Sequence, residues 1–444
     1  MLWGPMARIH PFQAVRYTAR AGDASALVTQ PYDKIPDELR ERYLAASPYN
    51  FVRLIKGMAE PGDDDGDNVY TRAAALLEQW LAEGILAADP SPALYPYFQE
   101  FAHPDTGDRL VRKAFVCLLD LEDYDRRVVH RHELTHRGPK VDRLRLTEAT
   151  RAYFGQLFFL YDEPEATVDA LLDQAAAGPP LMQAEEEGVT HTLWRIDDPL
   201  VIETVQRAIA ERKLLIADGH HRYETALAYR DAHPEEPGGA RVMVSLVNLR
   251  SPGLVVLATH RPLEGLDGLR LEDLLERAGR RFDVERLESA EVLRERLDDA
   301  PPEPAAIGMV FHGEPGAWLF TARPDDLAPL LADQSPAQRK LDVVALHQAL
   351  LGDALGITEE DVRELKGISY IRGFQQAVDA VRTGGKQVAF LLRPVDAAEV
   401  AEIAFAGGVM PQKSTDFYPK LLSGFATYRF GSTRSKAPRA ERSQ

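Results

Sequence analysis

The sequence predicts a mixed α+β protein, and three observations carry that reading. The run KLLIADGHHRYETALAYRDA reads as an apolar strand, a tight Asp-Gly turn and a helix. In LYPYFQEFAHPDTGDRLVRKAFVCLLDL, two β-rich runs flank PDTGD, which is a hairpin signal. TRAAALLEQWLAEGIL repeats apolar residues at helical spacing and stops at a glycine.

The other elements follow in order. ALVTQPYDKIP is an apolar strand entering a Pro-bounded turn, and GMAEPGDDDGDN is a solvated acidic loop. RRVVHRHELTHRGPKVDRLRLTEATRAYFGQLFFLYD starts polar and histidine-rich, turns helical, and ends in a buried strand. RVMVSLVNLRSPGLVVLATHRPL is two β-rich runs about a Ser-Pro-Gly turn. From about residue 266 the pattern is helix, hairpin, helix: LEDLLERAGRRF, AIGMVFHGEPGAWLFTAR and QRKLDVVALHQALLGDALG, with DAPPEPA a flexible seam before the hairpin. The last block has a strand, QVAFLLRPV, a helix, DAAEVAEIAFAGG, and the loop MPQKSTDFYPK. This divides the chain into an N-terminal α/β region (1–110), a core with the DGHHR turn (111–265), an α/β lobe (266–345), a C-terminal α/β region with the KSTDFYPK loop (346–430), and a polar, disordered tail (431–444).

Composition bounds the function. With 52 Lys and Arg against 69 Asp and Glu, the net charge is −17, which opposes nucleic-acid binding because phosphate neutralisation needs surplus cations on one face. A local basic pocket for a small anion is compatible with that balance. No apolar window is long enough to span a membrane, and the first residues lack a signal-peptide pattern. The single cysteine, Cys117, cannot form an internal disulfide and sits in an apolar run. The expectation is a cytoplasmic protein without nucleic-acid or membrane partners.

Chemistry concentrates in three segments. At Asp218-Gly219-His220-His221-Arg222, Gly219 can supply the positive φ of a sharp turn. The helix amides that follow, with Arg222, form an anion site. Asp218 could hold Mg²⁺ or accept a hydroxyl proton; the alternative is a turn residue and cap. In the second segment, Lys413, Ser414, Thr415 and Lys420 could grip a phosphorylated ligand, the alternative being a surface loop packed down by Phe417 and Tyr418. The third, His132-Glu133-Leu134-Thr135-His136, matches HExxH, the zinc-hydrolase pattern. Gly138-Pro139 leaves little helix to place both imidazoles on one face, and His132 and Glu133 can instead serve another role beside Arg143. Tyr32 and Asp33, at the Pro-bounded turn, could face a pocket, and Thr259-His260-Arg261 could reach a ligand or sit solvated. No dinucleotide or P-loop glycine motif is present.

The runs PYDKIP, HELTHRGPKVDRLRL, IADGHHRYETALAY and MPQKSTDFYPKLLSGF, in that order, resemble the domain-of-unknown-function family numbered 1015 over about residues 8–430. The Asp-Gly-His-His-Arg turn is also similar to the phosphate-contacting turn of the ParB and sulfiredoxin superfamily. That superfamily includes CTP-binding partition proteins, sulfiredoxins that use ATP, and free serine kinases whose turn reads DGH-x-R. The resemblance implies a ParB/sulfiredoxin-like core with a strand-turn-helix phosphate site. It places Asp218, Gly219, His220 and Arg222 at nucleotide phosphates or the transferred group, with His221 at the variable position. The catalytic carboxylate has two candidate equivalents, Asp33 and Glu133. In the family pattern the position of His136 varies, which counts against zinc, and the turn lacks the cysteine that sulfiredoxin chemistry uses.

The expected function is a nucleotide-dependent phosphotransferase, a kinase acting on a small hydroxylated metabolite such as free serine. ATP or ADP is the donor, with CTP an alternative, and Mg²⁺ assists. Asp218 or Glu133 is the base, and Lys413, Ser414 and Lys420 close over the ligand. The other readings are a nucleotide-binding regulatory or adaptor protein without turnover, and a zinc hydrolase built on HELTH.

Overall fold

The structure, a computed structural model, describes residues 6–133 and 138–430, and in the helix Gly138–Thr150 the side chains from residue 140 onward. Thr135, His136 and the tail from residue 431 lie outside the described residues. The chain forms two compact units, both discontinuous in sequence. Among the described residues the first comprises 6–130, 138–254 and 419–430, and the second comprises 131–133 and 255–418.

The first unit is built on a nine-stranded mixed sheet. Its order is Val129–His130, Leu214–Asp218, Leu157–Tyr161, Arg241–Asn248, Arg109–Asp120, Tyr95–Ala102, Val189–Leu193 and Met182–Glu186, with Ile9–His10 pairing the Arg109–Asp120 strand. The expected hairpin about PDTGD is present, with Tyr95–Ala102 antiparallel to Arg109–Asp120 from Tyr95↔Val116 to Ala102↔Arg109. The strands Leu157–Tyr161 and Arg241–Asn248 run parallel. Both are nearly continuous apolar runs, as strands covered on both faces require. Cys117 lies at 0 % exposure in this sheet, and burial pushes its thiol well up, so it is a packing residue.

The helix predicted from TRAAALLEQWLAEGIL is Val69–Ala82, capped by Asn68 in a reciprocal box with Thr71. It buries Ala73, Leu77 and Trp80 in a core with Leu27, Phe51, Leu146 and Phe154. The helix Gly138–Thr150 lies against both Val69–Ala82 and His220–Ala232.

The second unit holds a five-stranded antiparallel sheet in the order Arg261–Leu263, Val388–Leu391, Ala306–Phe311, Ala317–Ala322, Phe282–Leu287. The hairpin read from AIGMVFHGEPGAWLFTAR is its Ala306–Phe311 and Ala317–Ala322 pair. Helices Ala290–Asp298 and Phe374–Arg382 cover it, burying Leu293, Leu297, Val378 and Val381 against Val310 and Leu391. Two local expectations are corrected. The MPQKSTDFYPK segment is not all loop: Asp416–Tyr418 forms a strand with Val255–Leu257, which the buried ring of Phe417 makes possible. The helix expected through LDVVALHQALLGDALG is α-helical only over Asp342–Ala345 and continues as a π-helix, Leu346–Ala354. Among the described residues no helix is long and apolar enough to cross a membrane.

The Ser251-Pro252-Gly253 turn ends the first unit's middle stretch, and Gly253 approaches the hairpin backbone closely. A Cβ there would meet the Val111 carbonyl and the Arg112 amide, both main-chain groups that cannot swing away. Gly253→Ala is therefore expected to destabilise the fold by about 1–3 kcal/mol. Urea unfolding should show a lower midpoint at unchanged slope; an unchanged midpoint would refute the close approach.

Candidate functional site

The strand Leu214–Asp218 is wholly apolar until its last residue, with Leu214, Leu215 and Ile216 at 0 % exposure. Its pairing with Leu157–Tyr161 shifts register between Ile216 and Asp218, where Ile216 faces Phe159 and Asp218 faces Phe158. Such a bulge re-aims a side chain at the end of a strand. Gly219 follows at φ +105° as the helix cap, and its missing side chain matters twice. The backbone is left-handed, and a Cβ would lie 3.1 Å from Arg222 Nη2 and 3.2 Å from Leu157 Cγ. The helix His220–Ala232 then begins, its first intrahelical bond running from the Tyr223 amide to the Gly219 carbonyl at 2.9 Å. The amides of residues 220–222 precede that bond and so have no acceptor within the helix.

Asp218 is the centre of a cationic group. Lys420 Nζ donates to its Oδ2 at 2.9 Å, and Arg222 Nη2 stands 3.6 Å from its Oδ1. Burial by itself would raise the Asp218 carboxyl. The Lys420 ammonium, then Arg222 and Lys34, outweigh that and hold it well below the ordinary carboxylate range. Arg222 Nη1 also donates to the Gln156 carbonyl at 3.0 Å, which fixes the guanidinium over the turn.

Behind this pair lies a buried support. Arg112, at 0 % exposure, donates from Nε to Gln99 Oε1 at 3.0 Å and from Nη2 to the Pro419 carbonyl. Gln99 Nε2 donates to the Lys420 carbonyl at 2.9 Å. The guanidinium stacks 4.6 Å from the Phe158 ring centre, and burial lowers it to about 9. Asp218 is the carboxylate whose charge acts on it. Next to it His191 is pushed down to about 3, by burial first and by Arg112 second, and its Nδ1 meets Tyr97 Oη at 2.6 Å. That imidazole is neutral at physiological pH.

A cleft open to solvent borders the cationic group. Its walls include Tyr32, Arg143, Tyr153, Phe154, Arg222 and Ser423. Arg143 stacks on the Tyr32 ring at 4.1 Å and is tied to Asp142 Oδ2 at 2.7 Å and to the Ile55 carbonyl at 2.9 Å. Burial raises the Tyr32 phenol and Arg222 counters it, so the two share one environment. Reciprocal backbone bonds between Thr29 and Ser423 bring the Tyr32 turn and the segment after Lys420 together.

The structure thus brings together Tyr32, Arg143, Asp218, Gly219, Arg222 and Lys420, which are far apart in sequence. His220 is buried and His221 half-buried in the same helix turn. Asp33 is exposed in the short turn Tyr32–Lys34 and does not line the cleft. The remaining sequence candidates belong to the second unit. His132 is buried, with Nε2 2.9 Å from Thr415 Oγ1 and its carbonyl accepting from the Met410 amide. Glu133 is half-buried and its charge acts on Tyr370. Lys413 is exposed in a left-handed conformation, and Ser414 donates to the Pro411 carbonyl at 2.5 Å. The zinc reading also needs His136, outside the described residues. His132 and Glu133 are not helical, and among the described residues no group of three or more His, Cys, Asp or Glu could hold a metal.

Sequence reading missed Arg112, Gln99 and Lys34. Arg112 had a signal: a charge at an inward position of the otherwise apolar strand LVRKAFVCLLD must find partners inside.

Comparison with known proteins agrees at the level of family. The model of the family described as "Protein of unknown function (DUF1015)" matches residues 9–344, and the chain belongs to that family. No curated protein matches the sequence. Among solved structures, a free serine kinase in complex with AMP is 13 % identical, covering 68 % of this chain and 88 % of that one at a TM-score of 0.36. A conserved hypothetical protein from Pyrococcus furiosus is 13 % identical, covering 65 % and 87 % at 0.33. SbnI from Staphylococcus aureus, truncated at its C-terminus, is 13 % identical, covering 72 % and 83 % at 0.32. Scores this low do not establish a shared fold.

The charge balance makes a pH test available. A carboxyl depressed on folding contributes stability that is complete above its unfolded value, near 3.9, and is lost as pH falls through the folded value. Asp218→Asn should lower the melting temperature at neutral pH and flatten the decline below about pH 5. An acid limb parallel to that of the parent protein would show that Asp218 is not held down by its neighbours.

Proposed function

We propose that the first unit binds the phosphates of a nucleotide at Lys420, Arg222 and the opening turn of the His220 helix, and passes a phosphoryl group to a small hydroxylated metabolite. One observation carries the reading. Lys420, Arg222, Lys34 and Arg112 all act on the single carboxylate of Asp218, in a chain whose net charge is −17. Cations gathered against the overall charge, and bordering an aromatic-walled cleft, suit a compact polyanion. The helix opening at His220 adds the positive end of its dipole, and Arg222 offers a planar fork for phosphate oxygens. Tyr32 and Arg143 would face the remainder of the ligand or the acceptor.

Phosphoryl transfer depends mainly on positioning and on charge stabilisation, which cations supply without forming bonds. Asp218, held far below neutral pH, is too weak a base to take a hydroxyl proton efficiently. Its role in this reading is to hold Lys420 and Arg222 in place. It also suits a divalent ion: Oδ1 is only loosely approached by Arg222 at 3.6 Å, and 29 % of the side chain is exposed. Mg²⁺ usually takes one or two carboxylates plus substrate oxygens, and would neutralise charge developing on the phosphates. Glu133, His132, Lys413, Ser414 and Thr415 belong to the second unit, and the reading for the first unit is made without them.

The pairing of Asp218 with two cations also favours a second reading, a nucleotide-binding regulatory protein without turnover, because a satisfied carboxylate leaves no base at the turn. One experiment separates the two. A nucleotide at 100 times its dissociation constant should stabilise the fold by about 2.7 kcal/mol. The full chain is melted with ATP, ADP or CTP plus Mg²⁺, beside Arg222→Ala. The stabilising nucleotide is then incubated with free serine and other small alcohols. Stabilisation lost in the variant, with phosphate appearing on an acceptor, supports the kinase. Stabilisation without transfer supports the regulatory reading, and no stabilisation by any nucleotide refutes both.

A further inference from the structure

The Thr259-His260-Arg261 segment is neither solvated nor part of the phosphate site proposed for the first unit. Its residues are 7 %, 2 % and 1 % exposed. Arg261 opens the edge strand of the five-stranded sheet, and its guanidinium is engaged by main-chain carbonyls. Nη1 donates to Thr259, and Nη2 to Lys413 at 3.0 Å and to Gln412 at 3.4 Å. Its Nε has no hydrogen-bond partner among the described residues. A charge removed from water is costly unless an anion compensates it, and carbonyl dipoles do so only in part.

Two further polar atoms of the second unit are buried without partners among the described residues, Tyr370 Oη and His347 Nε2. The Tyr370 ring centre is 5.3 Å from the guanidinium carbon, and the Arg261 charge acts on both the phenol and the imidazole. His347 sits in the π-helical turn Leu346–Ala354, a distortion that recurs at functional sites because it re-aims side chains. Each buried polar atom left unmet carries a desolvation cost, and three of them lie within reach of one buried charge's influence.

We propose that Arg261, Tyr370 and His347 form a binding site for a single carboxylate group in the second unit. Charge selects the ligand class. Among the described residues the Arg261 guanidinium is met by carbonyls alone, so a monoanion balances it and a phosphate dianion overshoots it. Arg261 Nε and Tyr370 Oη each carry a hydrogen to donate. Burial, and then Arg261, push the imidazole down to about 3, so His347 is neutral and can donate from Nε2 without adding charge.

The probe is acetate, titrated into the full chain with ¹⁵N-labelled histidine at fixed ionic strength. The His347 ring signals, assigned with His347→Ala, are expected to move with saturation in the parent protein and in Arg222→Ala, which separates this site from the nucleotide reading. Tyr370→Phe, which removes one hydroxyl and keeps the ring, should weaken acetate about tenfold or more, as loss of a hydrogen bond to a charged group does. His347 signals that ignore acetate, or that respond equally in Tyr370→Phe, overturn the site. A response to phosphate and not to acetate overturns the ligand class.

Discussion

The ion pair between Asp218 and Lys420 is the contact on which the first unit's candidate site depends. A carboxylate at the end of an apolar strand is destabilised by desolvation unless cations meet it. Here Lys420, Arg222 and Lys34 meet it strongly enough to reverse the effect of burial. The carboxylate in return allows those cations to stand close together despite their mutual repulsion. The lysine is not free to wander, because its backbone is held from behind by Gln99 and Arg112. The site is therefore set by the central sheet, on a rigid element.

Both units use a buried arginine in the same way, against the late segment VMPQKSTDFYPK. Arg261 bonds the carbonyls of Gln412 and Lys413 in the second unit, and Arg112 bonds that of Pro419 in the first. The segment is thus recognised through its main chain as much as through its side chains. Ser414 and Thr415 serve internal bonds, to the Pro411 carbonyl and to His132. A motif dense in polar residues can be dense for reasons of architecture, and only geometry separates those residues from the ones that face a ligand.

Local order was legible where the signal is local. The strand, glycine turn and helix at Leu214–Ala232 follow from apolar run, φ-permissive residue and helical spacing, and the hairpins from their turn residues. The π-helix was not, since a nine-residue run does not mark whether each amide finds the carbonyl four or five residues back. Sheet order was also hidden. Leu157–Tyr161 lies between Leu214–Asp218 and Arg241–Asn248, and nothing in an apolar run names its neighbours. At the site, the turn residues and Lys420 could be named from composition. Arg112 and Gln99 could not be tied to the Pro419-Lys420 segment, because their links are carbonyls more than three hundred residues away.

That separation along the chain has a consequence for biosynthesis. Residues 1–254 supply nearly all of the first unit, yet Lys420, the Pro419 carbonyl and the Ser423 bridge arrive only after the whole of 255–418 has been made. At roughly 5–20 residues per second, the ribosome needs on the order of ten seconds for that stretch. Throughout that interval the nascent sheet carries Asp218 without its lysine and Arg112 without one of its carbonyls. The finished arrangement of charge is a late event, assembled when residues 419–423 reach the sheet that 95–248 have already supplied.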